Sequence, residues 1–187
     1  MSWFEVESKV KILDYEKVKK AVVSISSFVG KEVKSDDYYA LHVDGYPKKS
    51  FRIRNNGKVF VVNFKKKSDS LSDKEVVVKE EFEFILNHES DVEVFLALQK
   101  DLGFKEWAHK KKISEIYSYN KDKNLHFEIN KVDKLGYWLE IEYLCHNKNK
   151  VLQARRMINE VTSMIGDGLG KIDNTGYTKM LYRFKKK

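Results

Sequence analysis

Three pairs of glutamates stand two residues apart along the chain: Glu5 and Glu7, Glu81 and Glu83, Glu140 and Glu142. Three pairs of bases share that spacing: Lys9 and Lys11, Arg52 and Arg54, Lys110 and Lys112. Clustered carboxylates suit a hard divalent cation with oxygen ligands. Arginine pairs offer forked donors to phosphate oxygens, and lysines add point charges. A spacing of two puts both members of a pair on one side of a strand, because successive side chains point to opposite faces. In "FEVESKVK" the charges occupy the odd positions and Phe4, Val6, Val10 and Ile12 the even ones.

The same alternation recurs at Asn63 and Lys65, at Lys79 beside Glu81 and Glu83, and at Glu128 and Asn130. One reading makes these the wet faces of an open antiparallel sheet. Two features oppose it. The alternate faces (Val59 and Val61 beside Phe60 and Phe64; Val76, Val78, Phe82 and Phe84; Leu139, Ile141 and Tyr143) are apolar enough to need covering. The charges are also grouped by sign, whereas a solvated face usually mixes them. A closed barrel of about eight strands has an interior just wide enough for side chains or one small ligand. Buried charges must be paired or bound to metal, so a charged interior demands an occupant, and a metal-bound triphosphate meets both demands.

The elements that hold these faces follow from periodicity. "DYEKVKKAVVSISSFVG" predicts a helix capped by Asp14, with Val18, Ala21, Val22, Ile25 and Phe28 on one face and Gly30 as its stop. Strands are predicted in "DDYYALHV", "KSFRIRN", "KVFVVNFK" and "KEVVVKEEFEFIL", with a hairpin at Gly57. "SLSDKE" reads as a polar connector. A second helix, "SDVEVFLALQKDLG", is capped by Ser90 or Asp91, presents Leu96, Leu98 and Leu102, and ends at Gly103. Strands follow in "WAHKKKISEIYSY", "NLHFEINKV" and "GYWLEIEYL", then a third helix with Val151, Ala154, Ile158, Val161 and Ile165 aligned, and a closing strand around "GYTKMLYRF". Eight strands and three helices in two similar halves predict an α+β fold with an antiparallel sheet.

The 187 residues are most simply one domain over 1–187. With 42% hydrophobic residues, one Pro and 13% aromatics the chain is globular rather than disordered. The formal charge of +8 favours a polyanionic partner, although Lys185, Lys186 and Lys187 contribute as a tail. The single Cys145 excludes an internal disulfide and suits a reducing compartment. Glu5 and Glu7 interrupt any signal-peptide core, and no apolar run reaches the ~18 residues of a membrane span. A cytoplasmic protein is expected.

The motifs now arrive in order: Glu5-x-Glu7-x-Lys9, then "DDYYAL", "FRIRNNGKVFVVNFKKK", "VKEEFEF", "LGF" followed by "KKKISEIY", "INKVDKLGYWLEIEY" and "GYTKML". Over roughly residues 3 to 184 this series resembles the CYTH, or triphosphate tunnel metalloenzyme, family, which includes class IV adenylyl cyclases, thiamine triphosphatases and inorganic triphosphatases. The resemblance implies a closed eight-stranded antiparallel barrel with helices packed outside, two pseudo-symmetric halves, and dependence on Mg2+ or Mn2+. It implies Glu5, Glu7, Glu140 and Glu142 as metal ligands, with Glu81 and Glu83 as further acids. Lys9, Lys11, Arg52, Arg54, Lys65, Lys79, Lys110 and Lys112 are implied phosphate contacts, the choice among Lys110 to Lys112 staying open. Two departures stand out. Asn130 occupies a metal-site Asp position, with Glu128 on the same face able to compensate, and Lys66 and Lys67 replace a Gly-Pro.

The resemblance leaves two reactions open on one triphosphate, whether ATP, thiamine triphosphate or tripolyphosphate. Water attacking the terminal phosphorus gives a triphosphatase; the ribose 3′-hydroxyl attacking the α-phosphorus gives cyclic AMP and pyrophosphate. Tyr38 and Lys65 match a Tyr and Lys that act near the attacking water in the thiamine triphosphatase branch, which leans the reading toward hydrolysis. A non-catalytic polyphosphate- or RNA-binding module is the rival; the Glu-x-Glu pairs oppose it, and no nucleic acid is expected. The protein is expected to be a monomer or homodimer. His42, His88, His109, His126 and His146 lack zinc-ligand spacing. No Gly-rich phosphate loop is present, and "IGDGLGKIDNTG" reads as a connector.

Overall fold

The computed structural model describes residues 2–41, 45–47, 49–55, 57 and 59–185. The first half of the chain contains β1 (Ser2–Ile12), α1 (Tyr15–Ile25), β2 (Ser26–Leu41), β3 (Phe51–Asn55), β4 (Phe60–Lys67), β5 (Val77–Leu86) and α2 (Glu89–Asp101). The second contains β6 (Phe104–Tyr119), β7 (Leu125–Val132), β8 (Gly136–Cys145), α3 (Val151–Ile165), β9 (Leu169–Ile172) and α4 (Tyr177–Lys185). Strands run side by side in the order β5-β4-β3-β2-β6-β7-β8-β1, and β1 pairs back to β5. The sheet is thus a closed eight-stranded antiparallel barrel. β9 adds to β1 at Val10 and Ile12, on the edge β5 leaves free beyond Glu7.

Closure separates the two faces of every strand. The apolar core lies outside the barrel wall, under helices α1 and α3. Val6, Val78, Phe127, Ile129, Leu139 and Ile141 meet Val18 and Val22 of α1 and Val151, Ala154, Ile158, Val161 and Ile165 of α3. Each fully buried branched side chain of this kind contributes about 1.5–3 kcal/mol relative to exposure. The α3 stripe is the one its spacing predicts, and Cys145 is a buried member of this cluster. Asp14 caps α1, accepting from the Lys17 amide at 3.2 Å. The strands around Gly57 form the predicted hairpin, Asn55 pairing with Phe60 and Gly57 taking φ of 83°; Asn56 and Lys58 lie outside the described residues, as do His42, Val43, Lys186 and Lys187.

Four local expectations are corrected. The first helix stops at Ile25, where the Ser26 hydroxyl donates to the Val22 carbonyl, and Gly30 sits inside β2 at a register shift opposite β6. The Gly-rich connector holds β9. The closing segment is helix α4, since Tyr177, Met180 and Leu181 also satisfy i, i+3, i+4 spacing. His88, rather than Ser90 or Asp91, is the N-cap of α2; Asp91 instead accepts from the His88 amide at 3.0 Å. No helix among the described residues is long and apolar enough to cross a membrane.

Candidate functional site

Closure brings the charged rows to one cavity of about 320 Å³. The antiparallel register decides which groups meet. Across β1 and β8, Glu7 stands opposite Glu142 and Lys9 opposite Glu140; across β7 and β8, Glu128 stands opposite Glu140. Glu5 pairs in register with Lys79, and Lys65 with Glu81. Tyr38 faces Arg52, and Asp36 lies between Arg54 on β3 and Lys110 on β6. Acids therefore concentrate on β1, β7 and β8, and bases on β2, β3 and β6.

Seven glutamates and eight lysines or arginines line the cavity. Most are neutralised pairwise, as burial requires. Lys65 bonds Glu5 and lies 3.2 Å from Glu81, while Lys79 lies 2.6 Å from Glu7. Lys112 bridges Glu128 and Glu140 at 2.8 Å each, and Lys34 also bonds Glu128. Asp36, fully buried behind the wall, gathers Arg54 at 2.6 Å, Lys110 at 2.9 Å and Arg52 at 3.5 Å. Glu142 differs from these. Among the described residues it has no ion-pair partner, and it stands within 4.8 Å of two carboxylate pairs, Glu5 with Glu7 and Glu128 with Glu140.

The proton affinities follow from this layout. Burial pushes Glu142 well up, and the neighbouring Glu128, Glu5 and Glu140 push it further. Burial also raises Glu7, to about 7, with Lys79 only partly offsetting it; Glu81 rises to about 7 through burial and then Glu5. For Glu5, burial is outweighed by Lys65 and Lys79, which hold it well below the ordinary carboxylate range. Burial at Glu140 is likewise overcome by Lys112. Burial would raise Tyr38, but Lys110 and Arg52 bring its phenol below the usual value. For Lys65, burial is outweighed by Glu5 and Glu81, so its ammonium is kept charged.

The chain that builds this charged barrel interior matches a known family model, the CYTH domain, over residues 4–177. The chain belongs to the CYTH family. Solved structures agree on the fold. A protein of Pyrococcus horikoshii shares 24% identity over 98% of this chain and 99% of its own, with a TM-score of 0.73. One from Pyrococcus furiosus shares 29% over 89% and 94%, at 0.66. A Hippeastrum protein, named as a candidate adenylyl cyclase with a dominant triphosphatase activity, shares 12% over 97% and 96%, at 0.61. Comparison with curated proteins finds no match.

CYTH proteins are metal-dependent, and the donors here suit that chemistry. Two groups, Glu5-Glu7-Glu142 and Glu128-Glu140-Glu142, could each hold a cation, and they share Glu142. All the donors are carboxylate oxygens, the set a hard divalent ion takes. Of the sequence-predicted residues, the cavity wall collects Glu5, Glu7, Glu81, Glu83, Glu128, Glu140 and Glu142, together with Lys9, Tyr38, Arg52, Arg54, Lys65, Lys79, Lys110 and Lys112. Two are not brought there. Lys11 reaches past the end of the cavity, donating to the Leu135 carbonyl and lying 5.0 Å from the Trp138 ring. Asn130 is buried behind Glu140: its amide donates to Glu140 at 2.7 Å and its carbonyl accepts from Ser114. Tyr38 and Lys65 both reach the wall but have different partners. Lys110 lies 5.6 Å from the Tyr38 ring, while Lys65 is held by Glu5 and Glu81.

The structure adds Trp3, Lys34, Tyr177 and Thr178 to the wall. Lys34 carried a signal: Lys34, Asp36 and Tyr38 alternate, but a helix running to Gly30 leaves too little strand to include it. Tyr177 opens α4, and the ammonium groups of Lys9, Lys110 and Lys112 lie 4.5, 5.7 and 5.8 Å from its ring.

Proposed function

We propose that this protein is a divalent-metal-dependent triphosphatase that holds an extended triphosphate in the barrel cavity and hydrolyses its terminal phosphoanhydride. The observation that carries the reading is Glu142, a carboxylate in no ion pair among the described residues, set among four other carboxylates in a cavity otherwise rich in bases. A phosphate-only site has no use for such a cluster. Bound there, Mg2+ or Mn2+ would supply neutralisation of the phosphate charge. The residues to hold it are Glu5, Glu7, Glu128, Glu140 and Glu142.

The rest of the work falls to the chain's own groups, since phosphoryl transfer asks mainly for positioning and charge stabilisation. Arg52 and Arg54 present forked donors, and Lys9, Lys79, Lys110 and Lys112 supply point charges along the cavity. In the resting protein all of these but Lys9, which donates to the Thr175 carbonyl, are engaged by carboxylates; a triphosphate with its cation exchanges one set of partners for another. Lys65 stays protonated and stabilises the transferring group. Tyr38, whose phenol is more acidic than usual under Lys110 and Arg52, orients the attacking water. A Hippeastrum protein of this fold with dominant triphosphatase activity favours hydrolysis over cyclisation.

Incubation with tripolyphosphate or ATP and Mg2+ or Mn2+, following orthophosphate, pyrophosphate and cyclic AMP, tests the reading. Metal-dependent orthophosphate is expected. Cyclic AMP with pyrophosphate identifies a class IV adenylyl cyclase instead, and metal-independent binding without product identifies a binding module.

A further inference from the structure

A second cavity, about 240 Å³, abuts the first: Lys110 and Thr178 line both. Its walls differ in kind. Trp107, Leu181 and Tyr182 give it aromatic and aliphatic surface, with Lys111, Lys134 and Asp133 around them. Trp107 comes to this wall through an irregularity of β6. Tyr38 pairs with Ala108 and Tyr39 with Glu106, so Trp107 is the extra residue of a bulge, and bulges re-aim side chains beside functional sites. Its ring packs edge-on to Tyr46 at 5.3 Å and Tyr38 at 6.2 Å. Its indole N–H is buried with no hydrogen-bond partner among the described residues. A buried donor left unmade is costly.

We infer that this cavity is a nucleobase subsite, so that the substrate of the proposed triphosphatase is a nucleoside triphosphate with its phosphates in the barrel and its base against Trp107. The inference rests on the reading of the barrel given above. Three arguments choose the occupant. The cavity is smaller than the ~300–1,000 Å³ that encloses a whole drug-sized ligand, so it takes one part of a molecule whose remainder lies in the barrel. Aromatic walls with an Asp133 acceptor at their edge suit a flat heterocycle that carries a donor. Lys110 is neutralised by Asp36, but Lys111 and Lys134 against the single Asp133 still disfavour a cationic ring, so an uncharged base fits better than a thiazolium.

The test compares kcat/KM for ATP, thiamine triphosphate and tripolyphosphate, counting orthophosphate and pyrophosphate together, in the wild type, Trp107→Ala and Tyr182→Ala. The wild type is expected to prefer ATP to thiamine triphosphate. Trp107→Ala should lower kcat/KM for ATP by roughly 5- to 100-fold, the range set by losing one base–aromatic stack, and leave tripolyphosphate within about twofold. Tyr182→Ala, on the surface helix, should lower ATP selectively by a smaller factor, and it keeps the question open to measurement if Trp107→Ala fails to fold. Equal losses for ATP and tripolyphosphate, no loss for ATP, or a preference for thiamine triphosphate overturns the nucleobase assignment while leaving the triphosphatase reading intact. Turnover of none of the three overturns both.

Discussion

The two sides of the barrel are alike within and unlike without. Inside, every strand from β1 to β8 turns charged groups toward one cavity. Outside, β1, β7 and β8 are sealed by α1 and α3 over a continuous apolar core, whereas β4 and β5 are only partly covered by α2, a helix with no buried residue. Phe95 of α2 does reach Phe51 and Phe84, yet Phe84 and Ile85 remain 45% and 57% exposed. The inner face answers to a ligand that must be bound from all sides. The outer face answers to stability, which one thick side can supply.

That division separates changes that cost activity from changes that cost the fold. The largest effect is expected inside: Glu5→Gln or Glu7→Gln should lower metal-dependent turnover by about 10²–10³-fold, the scale of losing one preorganised electrostatic contact, with the thermal unfolding midpoint close to wild type in Glu7→Gln and lowered in Glu5→Gln, which takes from Lys65 one of its two buried carboxylates. A variant retaining full activity removes β1 from the proposed site. Outside, on the sealed side, Ile158→Ala should cost about 2–5 kcal/mol of stability, read by denaturant unfolding, with KM unchanged in the folded fraction. On the thin side, Val94→Ala should stay within ~0.5 kcal/mol, since Val94 is 72% exposed. Equal costs at the two positions break the comparison.

Between these extremes lies Tyr177, where α4 meets the cavity. Tyr177→Leu should raise KM for tripolyphosphate about tenfold by releasing three ammonium groups from its ring, at roughly 0.5–2 kcal/mol per cation–π contact. Tyr177→Phe should restore it, because the ring that the three ammonium groups approach is kept. A smaller effect is the pH response. Glu7 and Glu81 keep their protons to about pH 7. The stabilisation that comes from their raised proton affinity is present below the ordinary glutamate range and lost as pH rises through about 7. A cation held by Glu7 needs that carboxylate ionised, so the rise in melting temperature on adding Mn2+ should be larger near pH ~8 than near pH ~6. A shift independent of pH places the cation elsewhere.

Much of this was legible in the sequence because strand periodicity is exact and the inner charges are unusual. Glu5, Glu7, Lys9, Glu140 and Glu142 announce their shared face by position alone, and Val151 to Ile165 announce the α3 stripe. What was not legible depended on choices between two local signals. Around Ser26 the helical spacing continues to Phe28, but the backbone turns extended and pairs with β6, which lengthens β2 and brings Lys34 inward. In "GYTKMLYRF" alternation and helical spacing coexist, and burial of Tyr177 against Trp138 and Met180 favours the helix. Lys11 shares the parity of Glu5 but lies six residues farther along a strand that runs out of the cavity. Asn130 has the right face but the wrong depth, one layer behind Glu140. Parity selects a side of the sheet; depth along the barrel is set by register and closure, which no single strand encodes.

Glu142 is the carboxylate that both acidic groups share, and among the described residues it is in no ion pair. Titration of Mn2+ into the metal-free protein by calorimetry, wild type beside Glu142→Gln, tests its proposed role as a metal ligand most directly. At least a tenfold loss of Mn2+ affinity is expected, within the ~10–100-fold span seen when metal-site groups are altered. A metal-free unfolding midpoint equal to or above wild type is also expected, because a neutral amide relieves a carboxylate crowded by others. Unchanged Mn2+ affinity in Glu142→Gln contradicts that role.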